Sequence, residues 1–240
     1  MTAAGGKTFV LVHGAWHGGW CWSAVATNLR ARGHNVYTPT QTGLGERAHL
    51  ISKTITLDTF IEDVVNVITF ETLDDVILVG HSFGGSTISG VADRMRERIR
   101  SLIYLDALML ENGQTPQSQF PKHIVEERIK QAEATGGLGI PAPPASAFGI
   151  TDPVQAASLE SRFTPHPLGT YSSPLNLSHK VGNGLPALYI ACNNPFHPPL
   201  QASRAWVKAN KMKMVEIATC HDAMVTMPDE LADLLDGEGA

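Results

Sequence analysis

Gly80-His81-Ser82-Phe83-Gly84 follows the apolar run Val76–Val79 and opens a helical pattern of small residues, GGSTISGVA. A serine on a sharp strand-to-helix turn holds its hydroxyl clear of the sheet, and glycines flank it because side chains there would collide with the strand and helix beside it. The helix start then offers free N–H groups and partial positive charge to an anionic intermediate. The chemistry of such a serine is nucleophilic attack on a carbonyl carbon. Chance gives G-x-S-x-G in roughly one chain in ten of this length, so the strand before it and the helix after it carry the weight. The plain alternative is a glycine turn with an incidental serine.

A second glycine turn, His13-Gly14-Ala15-Trp16, follows the run Phe9–Val12. The Ala15 N–H can be turned toward the point that the Phe83 N–H faces, and two convergent amides make an oxyanion hole. Trp16, Trp20 and Trp22 also suit this turn as packing. His13 and His17 lack nearby acidic or further histidine ligands, so they do not read as a metal pair.

A serine nucleophile needs a base, and the chain has ten histidines. His221 lies in Thr219-Cys220-His221-Asp222, beyond the run Met214–Ala218 and before a helical pattern over Pro228–Leu235. Open parallel sheets gather reactive groups at the carboxyl ends of their strands, which favours His221. His81 adjoins the nucleophile on a tight turn and should point away from it. His166 and His197 lie in proline-rich loops and read as surface or pocket-wall residues.

These residues need a frame. Short apolar runs recur at Phe9–Val12, Asn35–Tyr37, Val76–Val79, Leu102–Leu105, Leu188–Ala191 and Met214–Ala218. Their inner residues do not alternate, as expected of strands covered on both faces. Helical patterns fall between them at Trp20–Arg32, Leu57–Thr69 (after Thr56, a fitting N-cap), Gly85–Arg98 and Gln201–Ala209. The alternation predicts an α/β fold, a mostly parallel six-stranded sheet flanked by helices. Residues 1–110 and 185–240 form its core. Residues 111–184 break the rhythm: an amphipathic stretch (His123–Ala134) precedes GGLGIPAPPASAFG and TPHPLGTYSSPLNL, with no convincing buried strand. They read as a helical cap lobe inserted after the strand that ends at Asp106. Its aromatic residues Phe120, Phe148 and Phe163, with Trp16, are candidate substrate contacts.

Composition narrows the class. The 240 residues are 43% hydrophobic and 17% charged, with a net charge of −5 and scattered basic residues. Disorder and coiled coil are excluded as overall descriptions, and no nucleic-acid or anionic-membrane footprint is visible. No apolar stretch approaches the ~20 residues a membrane span needs, and MTAAGGKT lacks the apolar core of a leader peptide. Cys21, Cys192 and Cys220 are an odd number without metal-type spacing, which suits a reducing, cytoplasmic setting and no structural metal.

FVLVHGAWHGGWCW, GLGER (Gly43–Arg47), VILVGHSFGG and the late CHDAM together resemble the α/β-hydrolases. The branch they resemble is that of the small esterases grouped with plant methylesterases and hydroxynitrile lyases. The resemblance covers most of the chain, with the central lobe loosely matched. It implies Ser82 as nucleophile, His221 as general base, and the Ala15 and Phe83 amides as oxyanion donors. That branch lacks the first two strands of the larger fold, and the eight residues before Phe9 leave no room for such a hairpin. The expected activity is hydrolysis of a small-molecule carboxylic ester or lactone, with no cofactor or metal and with monomer and homodimer both open.

The chain departs from the plant pattern at the triad acid, which there follows the strand before the last. Here that stretch, Leu188-Tyr189-Ile190-Ala191-Cys192-Asn193-Asn194-Pro195, has no carboxylate. Asp106 ends the strand after the nucleophile helix, on the same sheet edge as Ser82 and His221. Some lipases and lactonases of the superfamily take their acid from that strand, so Asp106 is the expected partner of His221; its alternative is a helix-cap or hinge residue. Asp222 is too near His221 along the chain to reach its far nitrogen. Two competing functions are cyanohydrin cleavage and non-catalytic binding of a small molecule, with dioxygenase or haloperoxidase chemistry behind them. The lyases carry a threonine and a lysine where this chain has Gly14 and Asp222.

Overall fold

The inner strands of the main sheet are mostly apolar runs that meet helices on both faces, while the two edge strands carry exposed polar residues. The computed structural model describes residues 5–238. Its strands are β1 (Thr8–Val12), β2 (Asn35–Tyr37), β3 (Val76–His81), β4 (Ile99–Leu105), β5 (Ala187–Cys192) and β6 (Lys213–Ile217). They pair in the order β2-β1-β3-β4-β5-β6, every pair parallel. Val12 sits opposite Gly80 and Leu105 opposite Ile190, so the carboxyl ends of the central strands lie level.

The helices between strands are α1 (Ser23–Ala31), α2 (Leu57–Phe70), α3 (Gly84–Arg94), α7 (Gln201–Ala209), α8 (Ala223–Thr226) and α9 (Pro228–Glu238); α4 (Lys122–Glu133), α5 (Pro153–Glu160) and α6 (Leu168–Ser172) lie in the segment after β4. Phe9 and Leu11 face one apolar layer with Val25, Leu29 and Leu231; Val10 and Val12 face the other with Phe60, Val64 and Ile88. Strand side chains alternate between faces, so two apolar layers require a strand apolar at every position.

Helix α2 illustrates local and tertiary signals agreeing. Thr56 and Thr59 form a reciprocal capping box, and Leu57, Phe60, Ile61, Val64 and Ile68 make one buried stripe. Helix α3 stops at Arg94, four residues before the end expected from sequence, because a turn over Arg96–Arg98 delivers Ile99 to the sheet beside Val76. The expected Trp20–Arg32 helix is likewise split into a tight turn (Gly19–Trp22) and α1.

Residues 111–184 add no strand to the main sheet. They do contain a buried two-residue pair, Gly139–Ile140 against His166–Pro167, which is too short to leave a periodic signal and was not expected. The segment is tied to the carboxyl edge. Trp16 Nε1 donates to the Ile140 carbonyl at 3.0 Å, Thr164 N–H to Trp16 at 3.1 Å, and His221 N–H to Phe148 at 3.2 Å. Among the described residues no helix is long and apolar enough to cross a membrane. Half of the MTAAGGKT stretch lies outside the described residues.

Candidate active site

Strand β3 ends at His81, and Ser82 turns the chain into α3 with φ 52°, a left-handed conformation that a residue with a side chain enters only under strain. The turn is held from both sides. Ser82 N–H donates to the Leu105 carbonyl at 3.1 Å, and its own carbonyl accepts from Gly85 at 3.1 Å and Leu108 at 2.9 Å. A Cβ on Gly14 would lie 2.8 Å from that of Ser82, and one on Gly84 would lie 2.8 Å from the His13 carbonyl oxygen. The turn after β1 can therefore lie against the serine only because both positions are glycine.

The ends of three strands converge here. His221, beyond β6, brings Nε2 to 2.9 Å from Ser82 Oγ and Nδ1 to 2.7 Å from Asp106 Oδ2. Asp106, directly after β4, is fully buried, and its N–H donates to the Ile190 carbonyl at 2.7 Å. With its proton on Nδ1 toward the carboxylate, His221 leaves Nε2 free to accept from the serine hydroxyl. Arg204 on α7 donates from Nη2 to Asp106 Oδ1 at 2.6 Å and to the Cys192 carbonyl. Burial pushes the Asp106 carboxyl up, but the bonds from His221 and then Arg204 outweigh it and hold its pKa below the ordinary carboxylate value. Asn193 and Asn194 do not take part: the Asn193 side chain donates to Glu216 Oε2 at 2.8 Å, and Asn194 N–H donates to the Thr219 carbonyl at 2.9 Å.

Among the described residues neither the Ala15 nor the Phe83 amide donates to another protein group. Behind them runs a second polar chain. His17 Nδ1–H donates to the Ala15 carbonyl at 2.7 Å, and its Nε2–H to Asp222 Oδ2 at 3.2 Å. A carbonyl and a carboxylate both accept, so His17 carries both ring protons. Burial alone would lower its pKa; the charge and hydrogen bond of Asp222 reverse that and raise it. Asp222 is held far below its ordinary value, since the His17 cation outweighs burial. His81 is different: burial drives its pKa well down, and its neutral ring donates from Nε2 to the His221 carbonyl at 3.1 Å. His81, His221 and Asp222 also come close enough to resemble a metal site, but both ring nitrogens of His221 are already engaged.

Ser82 opens onto a cavity of about 220 Å³ whose walls include Trp16, Phe83, Phe120, Phe148 and Tyr171. Phe163 is not part of that wall, contrary to expectation. Its ring packs edge-on against His17 at 4.9 Å, behind the turn that follows β1. His197 lines the cavity and stacks on His221 with ring centroids 4.1 Å apart; burial and then the His221 charge lower its pKa to about 3. His166 is not a surface residue: fully buried, it accepts from Trp16 N–H and bonds Thr170 Oγ1 at 2.7 Å. Sequence reasoning missed Arg204, Arg128, Tyr171 and the His17–Asp222 pair.

A parallel sheet of this order, with a strained serine turn after β3 and a histidine after β6, defines a hydrolase scaffold. The chain matches the model of the alpha/beta hydrolase family over residues 9–234 and belongs to that family. It is an esterase-type member. It is 41% identical over 238 residues to a carbendazim hydrolyzing esterase of Nocardioides sp. (strain SG-4G), covering 95% of this chain and 97% of the relative. It is 26% identical to methylesterase 7 of Arabidopsis thaliana, covering 95% of each. An extracellular alpha/beta-hydrolase from a Paenibacillus species, described as sharing structural and functional homology with tobacco salicylic acid binding protein 2, superposes with a TM-score of 0.85 at 27% identity, covering 98% of this chain and 99% of that one.

Proposed function

We propose that the chain hydrolyses a small-molecule carboxylic ester through an acyl-enzyme on Ser82, with His221 as base and Asp106 as its carboxylate partner. The observation that carries this reading is the unbroken line from Asp106 through His221 to the Ser82 hydroxyl, ending at an apolar cavity. As Ser82 Oγ bonds the carbonyl carbon, its proton passes to His221 Nε2 and Asp106 balances the imidazolium. The carbonyl oxygen takes the negative charge, facing the free Ala15 and Phe83 amides. The ester C–O bond then breaks, and His221 returns the proton to the departing alcohol. Water enters and gives a proton to His221 as its oxygen bonds the acyl carbon; the bond to Ser82 Oγ then breaks, His221 returns the proton to Oγ, and the acid leaves.

The relatives are named for hydrolysing carbendazim and for acting as a methylesterase. Those names and the narrow aromatic cavity support an ester with a small alcohol part and a flat acid part; a lactone fits the same steps. Residues 111–184 act as a cap lobe that sets this choice. The free, buried Cys21, Cys192 and Cys220 support a reducing, cytoplasmic setting. For cyanohydrin cleavage the site is poorly furnished, since Gly14 has no room for a Cβ and Asp222 is committed to His17. Ser82→Ala should lower turnover of p-nitrophenyl acetate by at least ~10³-fold with an unchanged melting temperature. A serine-directed phosphonate should label Ser82 alone. Full activity in the variant, or labelling elsewhere, breaks the reading.

A further inference from the structure

One cation faces the cavity. Among the described residues that line it, Arg128 is the only arginine or lysine, and the one other basic side chain, His197, is held neutral. Arg128 projects from α4 across aromatic faces, its guanidinium 4.0 Å from the centre of the Phe120 ring, 5.1 Å from Tyr171 and 5.9 Å from Trp16. Aromatic faces hold a cation without using its N–H donors in the ring plane. No carboxylate pairs with Arg128 among the described residues, and its Nη1 is buried with no hydrogen-bond partner. A desolvated donor left open is costly unless something completes it.

Its position says what that is. Arg128, Trp16 and Pro143 are shared between the Ser82 cavity and a second, more open groove of about 450 Å³. Arg128 thus stands where the two meet. We propose that Arg128 is a specificity-determining residue that receives an anionic, hydrogen-bond-accepting substituent on the aromatic acid part of the ester, at the end away from the scissile bond. The substrate class is therefore an aromatic ester with a second acceptor group such as a carboxylate, which rests on the ester-hydrolase reading above. Trp16, Phe120 and Tyr171 flank the ring, and the planar guanidinium fork meets the acceptor. A lysine presents a point charge and lacks that fork. Because the contact is the same before and during reaction, it acts on KM more than on kcat.

The test compares monomethyl terephthalate with methyl benzoate, which differ by one carboxylate. In the wild-type protein kcat/KM should favour the terephthalate on the order of 10–100-fold, mostly through KM. Arg128→Met should bring the ratio to one or below, and Arg128→Lys should leave it between, with thermal melts confirming that both variants fold. A wild-type ratio within twofold of one, or a preference that survives Arg128→Met, overturns the proposal. Binding of monomethyl terephthalate to Ser82→Ala, with and without Arg128→Met, is read by tryptophan fluorescence. Binding that weakens with Arg128→Met supports the proposal even if no ester is turned over, and then only the hydrolase reading fails. Binding that Arg128→Met leaves unchanged, or no binding at all, overturns it.

Discussion

His221 with Asp106 and His17 with Asp222 are both histidine–carboxylate pairs withdrawn from water, each with 1% or less of either side chain exposed. The two carboxylates are alike in chemistry, and both are held below their ordinary pKa by the histidine that faces them, against the upward push of burial. What separates the pairs is the group at the other ring nitrogen. His17 meets the Ala15 carbonyl, which can only accept, so the ring keeps two protons and has no lone pair to offer. His221 meets the Ser82 hydroxyl, which can donate, and so retains a basic nitrogen beside a cavity. One pair is equipped to move a proton; the other is a fixed ion pair. Its position gives the fixed pair a structural task, since Asp222 follows His221 and His17 lies two residues past Ala15. It ties the loop that carries His221 to the turn that carries Ala15.

The largest effect that separates the pairs is expected from Asp106→Asn. An amide at that position can hold the ring by either hydrogen-bonding group and leaves the imidazolium without a countercharge. Loss of kcat on the order of 10²–10⁴-fold is expected, with the melting temperature little changed. Steady-state kinetics on p-nitrophenyl acetate reads it. A variant within threefold of wild type would mean that the pair at Ser82 is no more chemical than the one at Ala15.

Asp222→Asn should act mainly on stability. Removing one partner leaves His17 buried without its anion, which typically costs about 3–5 kcal/mol. Its pH dependence identifies the cause. His17 is raised above 6.5, so its share of the stability is complete below that value and is lost as pH rises through the raised pKa. Asp222 is lowered from 3.8, so its share is complete above that value and is lost as pH falls through the lowered pKa. Thermal melts should therefore show the widest gap between wild type and variant from about pH 4 to 6.5, narrowing on the alkaline side. A gap that stays constant to high pH would show a neutral hydrogen bond instead of an ion pair. Some activity should survive in the folded variant, because no group touching the ester is removed.

The same contrast explains what sequence could reveal. The inner strands were legible because double-sided burial leaves them few polar positions, and the strained turn at Ser82 announces itself by its glycines and the run before it. Asp106 could be nominated because the end of a strand fixes a residue to one sheet edge. Arg204 could not, since its partner is 98 residues away and a single arginine on an amphipathic helix looks like any surface cation. Nearness along the chain argued Asp222 away from His221 Nδ1, but nothing in the sequence pointed across 205 residues to His17. Arg128 and Phe163 failed in opposite ways. Loop and lobe residues have no period that says which face they present, so a solvent-type arginine entered the cavity and a candidate cavity phenylalanine went behind it.

The smallest effect is expected at the place where the plant relatives' pattern puts the acid. Asn194 is exposed, its backbone N–H holds the Thr219 carbonyl, and its side chain makes no contact with His221. Asn194→Ala keeps the backbone bond and deletes only the amide, so kcat should fall tenfold or less, within the ordinary range for a surface change near a site. Introducing a carboxylate there sharpens the comparison. Asn194→Asp in the Asp106→Asn background gives His221 a second chance of an anion, but Arg204 remains fixed on the β4 side by the Cys192 carbonyl. Recovery should therefore be partial, well short of wild-type kcat. Severe loss in Asn194→Ala combined with a nearly silent Asp106→Asn would reverse the assignment and make the loop after β5, not Asp106, the support of the base.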